Sequence, residues 1–173
     1  SARCDTPSVQ RARPAPSAPP LVRVASSAGS LKSLAVRLHD RFAVLALNSH
    51  QFLELYLAAF LGAGVVNPLN LRLAAKELAF ILADSGTKVC FTDQFFAPVV
   101  EKVRASVGIE HVVMIGAGDA PHDLEYEDLL AGAPPQLPDE PDAHAPPALV
   151  YPGGPPRLPH RASSHPRPPL PHT

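Results

Sequence analysis

The sequence predicts an α/β fold, a parallel sheet flanked by helices, and three observations carry that prediction. Short, mostly apolar runs recur along the middle of the chain: RFAVLAL (41–47), VVN (65–67), TKVCFT (87–92) and EHVVMIG (110–116). Stretches of helical character lie between them: QFLELYLAAFL (51–61), LAAKELAFILADSG (73–86) and QFFAPVVEKVRASV (94–107). The resulting order, strand and helix in strict alternation, is that of parallel strands joined by crossover helices. The strands lack polar alternation, as expected where both faces of a sheet are covered.

Each element has a local cause. Asn48 and Ser49 suit the cap of the first of these helices, which is expected over 50–61. Apolar side chains cover most of its circumference, and Gln51 and Glu54 are expected to face water. Gly62 and Gly64 end it, and Pro68 stops the strand that follows. The helix over 74–84 is amphipathic, with Leu78, Ile81 and Leu82 on one side, Lys76 and Glu77 on the other, and Gly86 at its end. Asp93 caps the next segment, while Pro98 places the helix start near itself. YEDLLAG (126–132) makes one or two helical turns, and a short strand is expected near 148–151.

The ends differ in kind. Of 22 prolines, five fall in residues 1–20, three in 21–133 and 14 in 134–173. Proline fixes φ and removes a backbone donor, so residues 1–30 are expected to form a disordered leader and 152–173 an irregular tail. The ordered subdomain is then 31–151. The leader has four arginines and one acid, Asp5, a composition that suits an organelle transit peptide. It equally suits a disordered or mistranslated leader, so the compartment stays open between cytoplasmic and organellar.

Several function classes drop out on composition. The net charge of −1 offers no basic surface for nucleic acid. No stretch reaches the roughly 18–20 apolar residues of a membrane span. Cys4 and Cys90 make neither a disulfide framework nor a metal set, and His144, His160, His165 and His172 have no fixed-geometry spacing. His50 and His111 read as residues at element starts, and Asp84 and Asp93 as helix ends. Arg72 is expected to pin the Asn-Pro turn. Ligands of such sheets bind beyond the carboxyl ends of the strands, which points to NPLNLRL (67–73) and the glycine loop at 152–157.

Residues 40–93, and most of all NPLNLRLAAKELAFILADSGTKV (67–89), resemble the start of the adenylate-forming enzymes, in particular the acyl-CoA synthetases. The resemblance extends over about 31–160 and implies an incomplete N-terminal subdomain. In that family a strand leads into Tyr-Thr-Gly-Gly-Thr-Thr-Gly-x-Pro-Lys-Gly, a loop that holds ATP phosphates. Its glycines let main-chain N–H groups approach the oxygens, and its hydroxyls and lysine add donors and charge. The corresponding residues here are Tyr151, Pro152, Gly153, Gly154, Pro155, Pro156, Arg157, Leu158, Pro159, His160 and Arg161. Tyr151, Gly153, Gly154 and Pro159 match. Pro152, Pro155 and Pro156 stand at the three threonine positions, Arg157 at a glycine and His160 at the lysine.

The resemblance implies ATP, Mg²⁺ and coenzyme A as cofactors of the intact enzyme and a small-molecule carboxylate, such as a fatty acid, as substrate. It implies Tyr151, Gly153, Gly154, Pro155, Pro156, Arg157 and His160 as the remnant of the phosphate loop, and no catalytic residue within the chain. The chain is expected to be an inactive fragment of a ligase. Two other readings stand beside this one. RPPLP (167–171) is a partial polyproline motif for an SH3-type partner, and the whole is also compatible with a pseudogene or gene-model fragment. Single A-to-C changes turn threonine codons into proline codons, so the loop can also arise from a corrupted reading of an intact motif.

Overall fold

The computed structural model describes residues 19–136 and 146–151, together with the backbone of 162–163. The expected sheet is present. Strands β1 (Arg41–Leu45), β2 (Val65–Pro68), β3 (Val89–Thr92), β4 (His111–Met114) and β5 (Leu124–Glu125) run parallel in the order β2-β1-β3-β4-β5. The crossovers are helices α2 (His50–Phe60), α3 (Ala75–Ser85) and α4 (Ala97–Val107), and α5 (Tyr126–Gly132) follows β5. A fifth helix, α1 (Pro20–Ser33), precedes the sheet.

Alternation along the strands divides the core into two layers. Phe42, Val44, Val66, Val89, Phe91 and Val113 face α1, α2 and α5. Ala43, Leu45, Cys90 and Val112 face α3 and α4. Phe42 and Phe91 meet edge to face at 5.8 Å, and Phe91 and Tyr126 at 6.2 Å, a favoured arrangement for aromatic quadrupoles. Cys90 is fully buried, which pushes its thiol pKa up to about 12 and leaves it a core residue.

The caps follow the sequence closely. Ser49 Oγ accepts from the Phe52 N–H at 3.2 Å. Glu77 Oε2 reaches back to the Ala74 N–H at 2.9 Å. Gly86 ends α3 at φ 63°, where a Cβ is costly. Asp93 Oδ1 accepts from the Phe95 and Phe96 N–H groups, and its Oδ2 from Leu47 N–H at 2.8 Å, so one carboxylate ties the turn after β3 to that after β1.

Three expectations need correction. Residues 20–30 are not part of a disordered leader: Pro20 fits the first turn of α1, where its missing N–H costs nothing, and Val24, Ala28 and Leu31 are buried at helical spacing. In α2, Gln51 and Glu54 face inward, while Leu53 and Phe60 are each 58% exposed. The reason is α1, whose Arg23 supplies the partner for Glu54. Finally, the tail contains regular structure, since β6 (Leu149–Val150) pairs antiparallel with β7 (Ala162–Ser163).

The Arg23 contacts form a buried network. Arg23 Nε donates to Glu54 Oε1 at 2.5 Å, and its Nη2 donates to Glu54 Oε2 at 3.1 Å and Glu127 Oε1 at 2.8 Å. Tyr126 OH donates to Glu54 Oε2 at 2.9 Å and shares a 2.6 Å hydrogen bond with Ser27 Oγ. Helices α1, α2 and α5 are thereby joined through their polar atoms as well as their apolar faces. Among the described residues no helix is long and apolar enough to cross a membrane.

Candidate functional site

The site is built at the carboxyl rim of the sheet. Leu47, Asn48 and Ser49 follow β1, the turn 69–73 follows β2, and Asp93 follows β3. The strand ending at Tyr151 lies beside β2. Val66 N–H donates to Pro147 O at 3.0 Å, and Val66 and Ala148 form a parallel bridge. The expected strand near 148–151 thus touches the edge of β2 through this single bridge, while β6 pairs with β7 in a separate two-stranded sheet.

Tyr151 is the one residue of the expected phosphate loop within the described chain. It is half-buried, packs against the α3–α4 layer, and its OH donates to Asp84 Oδ2 at 2.5 Å. Gly153, Gly154, Pro155, Pro156, Arg157 and His160 lie outside the described residues, as does RPPLP (167–171). Asp84 is next to last in α3 and is exposed, consistent with its reading as a helix end. Its bond to Tyr151 had no signal in the sequence, because 67 residues separate the pair.

At the turn after β2, Asn70 rather than Arg72 does the pinning. Asn70 Oδ1 accepts from the Arg72 main-chain N–H at 3.0 Å, and the Arg72 side chain lies exposed to solvent. A short side-chain acceptor two residues back closes such a turn locally, which a long guanidinium does not. Asn67, one position before the proline, is fully buried, and its Oδ1 and Nδ2 have no hydrogen-bond partner among the described residues. His50 begins α2 in an exposed position and His111 begins β4, as read from the sequence.

A cleft of about 360 Å³ lies at the opposite, amino end of the strands, bordered by Arg37, Asp40, Arg41, Lys88 and Glu110. Several of its charges are engaged within the protein. Arg41 donates to Ser85 O at 2.6 Å, at the carboxyl end of α3, and Lys88 pairs with Glu110 at 2.9 Å. The carboxyl rim remains the place for ligand chemistry.

The donor set of the loop fits a nucleotide triphosphate poorly. Pro152, Pro155 and Pro156 have neither hydroxyl nor main-chain N–H, and His160 replaces a permanent cation with a side chain mostly neutral at pH 7. Anchored Tyr151 at the end of a sheet strand is compatible with a phosphate-loop start; the residues after it supply few of the donors such a loop uses.

Fold and rim together define an α/β protein whose five-stranded parallel sheet is covered by helices on both faces. The family model of AMP-binding enzymes matches residues 21–154, and the chain belongs to that family. It is 49% identical over 76 residues to the long-chain-fatty-acid–CoA ligase FadD13 of Mycobacterium tuberculosis, a match covering 43% of this chain and 15% of that protein. Among solved structures, a fatty acyl CoA synthetase of Mycobacterium tuberculosis superposes with a TM-score of 0.68 at 30% identity, covering 83% of this chain and 28% of the other. ATP-bound MatB from Rhodopseudomonas palustris superposes with a TM-score of 0.68 at 24% identity, over 84% of this chain and 28% of that one, and shows the shared fold. The chain thus spans less than a third of either structure's length.

Proposed function

We propose that this chain is the opening portion of an ATP-dependent carboxylate–CoA ligase acting on a fatty acid, and that alone it is inactive. In the intact enzyme a carboxylate oxygen attacks the α-phosphorus of ATP, with Mg²⁺ assisting, and pyrophosphate leaves. The thiol of coenzyme A then attacks the acyl carbon and AMP leaves. No step of that sequence is assigned to a residue of this chain. The support for a ligase of this class is the family membership and the similarity to fatty acid–CoA ligases.

The observation that carries inactivity is the loop after Tyr151. A hydrogen bond to a charged group contributes about 1.5–3 kcal/mol, so losing two or more weakens binding by over a hundredfold on that scale. Calorimetric titration of the chain with ATP and Mg²⁺ is expected to show no micromolar binding, and a coupled assay with fatty acids no pyrophosphate release. A micromolar dissociation constant overturns the proposal.

A further inference from the structure

We propose that the outward face of α2 is a self-association surface, on which a second copy of this chain seats its own α2 about a two-fold axis. The helix is turned inside out relative to the usual amphipathic pattern. Its polar Gln51 and Glu54 are buried, and Glu54 is held by Arg23 of α1. Toward solvent stand Leu53 at 58%, Leu57 at 43%, Phe60 at 58% and, at the C-cap, Leu61 at 37% exposure. At roughly 200 Å² for a whole large apolar side chain, these fractions leave about 400 Å² of apolar surface on one helix. The largest patch on a typical monomer is roughly 300–600 Å², and patches of that size mark interaction sites. The assignment concerns this chain as it stands and does not depend on the loop after Tyr151.

Charge, spacing and area select a second copy as the occupant. Residues 48–71 contain no lysine or arginine, and their one carboxylate, Glu54, faces inward. Two copies of this face therefore meet without like-charge repulsion and without burying an unpaired charge. A lipid surface suits it less, because helices that lie on membranes carry basic residues beside their apolar face. Leu53, Leu57 and Phe60 recur at spacings of four and three, the seam along which two helices interdigitate. With the pair antiparallel about Leu57, Leu53 of one copy meets Phe60 and Leu61 of the other, and each contact occurs twice. The face is also stiff. Phe52, Tyr56 and Phe60 stack in series with ring centroids 5.8 and 5.9 Å apart, so little side-chain freedom is lost on pairing. There is room for the partner, since β2 is the end strand of the five-stranded sheet and α1 is the helix packed along α2. About 400 Å² is half of the roughly 800 Å² per partner in a standard stable interface, so the pairing is weak. A net charge of −1 opposes it little.

Sedimentation velocity of the full chain over a range of about 1–300 μM tests the assignment. A reversible monomer–dimer equilibrium is expected, with a dissociation constant of about 10–100 μM. Leu57→Glu and Leu57→Lys are each expected to weaken it more than tenfold, by placing like charges together at the two-fold axis. Mixing the two variants is expected to restore the dimer, because opposite charges then meet there. Leu53→Glu, at a more exposed position, is expected to act as Leu57→Glu does. Urea denaturation in the dilute, monomeric range stays at the wild-type level for each variant, which separates lost pairing from lost folding. Hydrogen exchange in α2 is expected to slow as concentration rises in the wild type and not in Leu57→Glu. A chain that is monomeric at every concentration overturns the assignment. So does a dimer that persists in Leu57→Glu, or a mixture of the charged variants no more associated than either alone. Binding to phosphatidylcholine vesicles by a chain that stays monomeric gives the face to lipid and overturns it as well.

Discussion

Arg23 is only 5% exposed in its side chain and stands between two carboxylates, with Glu54 at 10% and Glu127 at 36%. Replacing it with an apolar residue leaves Glu54 buried without its cation. Arg23→Met is therefore expected to lower unfolding free energy by about 3 kcal/mol, measured by urea denaturation. The network also sets an acid limit. The hydrogen bond from Arg23 holds the Glu127 carboxyl below its ordinary 4.5, against the opposing effect of burial. The folded state then binds fewer protons than the unfolded state, so stability rises with pH in that range. This contribution is complete above about pH 4.5 and is lost as pH falls through the lower folded value. Thermal melts between pH 7 and 3 are expected to show that loss, and Glu127→Gln to remove part of the slope. Asn67 presents the opposite case, a buried amide with no partner among the described residues. Asn67→Leu is expected to leave stability unchanged or raise it by about 1 kcal/mol in the same denaturation experiment.

At the scale of elements, the legible parts of the fold are those whose signals are local. Pro68, Gly86 and Pro98 punctuate the chain, and the strands and helices between them match the observed bounds to within a few residues. What was hidden depends on distant partners. The apolar spacing of Val24, Ala28 and Leu31 was present in the sequence, but flanking prolines and serines masked it as leader composition. Without α1, Glu54 had no reason to turn inward, and the outward leucines of α2 had no reason to be exposed. Strand β5 has two residues, too few for any periodicity to register. At the rim, the strand leading to Tyr151 was legible, whereas the contacts of Asp84 and Asn70 came only from the folded chain. The fit of α1 gives a further prediction. A Cβ on Gly29 would stand 2.5 Å from the Pro134 carbonyl oxygen, a main-chain atom. Gly29→Ala gains about 1 kcal/mol in helix propensity but incurs about 1–3 kcal/mol of overpacking. The melting temperature is expected to fall.

For the molecule as a whole, the family match runs to residue 154, and the residues after Tyr151 agree only in part with the loop the resemblance implies. Through Tyr151 the chain builds a two-layered α/β core with its caps in place, whereas beyond it Pro152, Pro155, Pro156, Arg157 and His160 depart from that loop while Gly153, Gly154 and Pro159 match it. One route to Pro152, Pro155 and Pro156 is a single A-to-C change in each of three threonine codons. Resequencing of the transcript across codons 148–173 is expected to return threonines at those positions and a lysine at 160. A confirmed YPGGPPRLPHR overturns this and leaves a degenerate or repurposed loop.

The contact between Arg23 and Glu127 spans 104 positions, and that separation has a meaning in time. Chains are synthesised at about 5–20 residues per second, so α1 emerges roughly 5–20 s before the acid of α5 that completes its network. Throughout that interval Val24, Ala28 and Leu31 have no α5 to pack on, and Arg23 has at most one of its two carboxylates. Among the described residues, the helix made first is thus among the last to be locked. A nascent chain halted before residue 126 is expected to leave α1 open to protease, and one extended well beyond 132 to protect it.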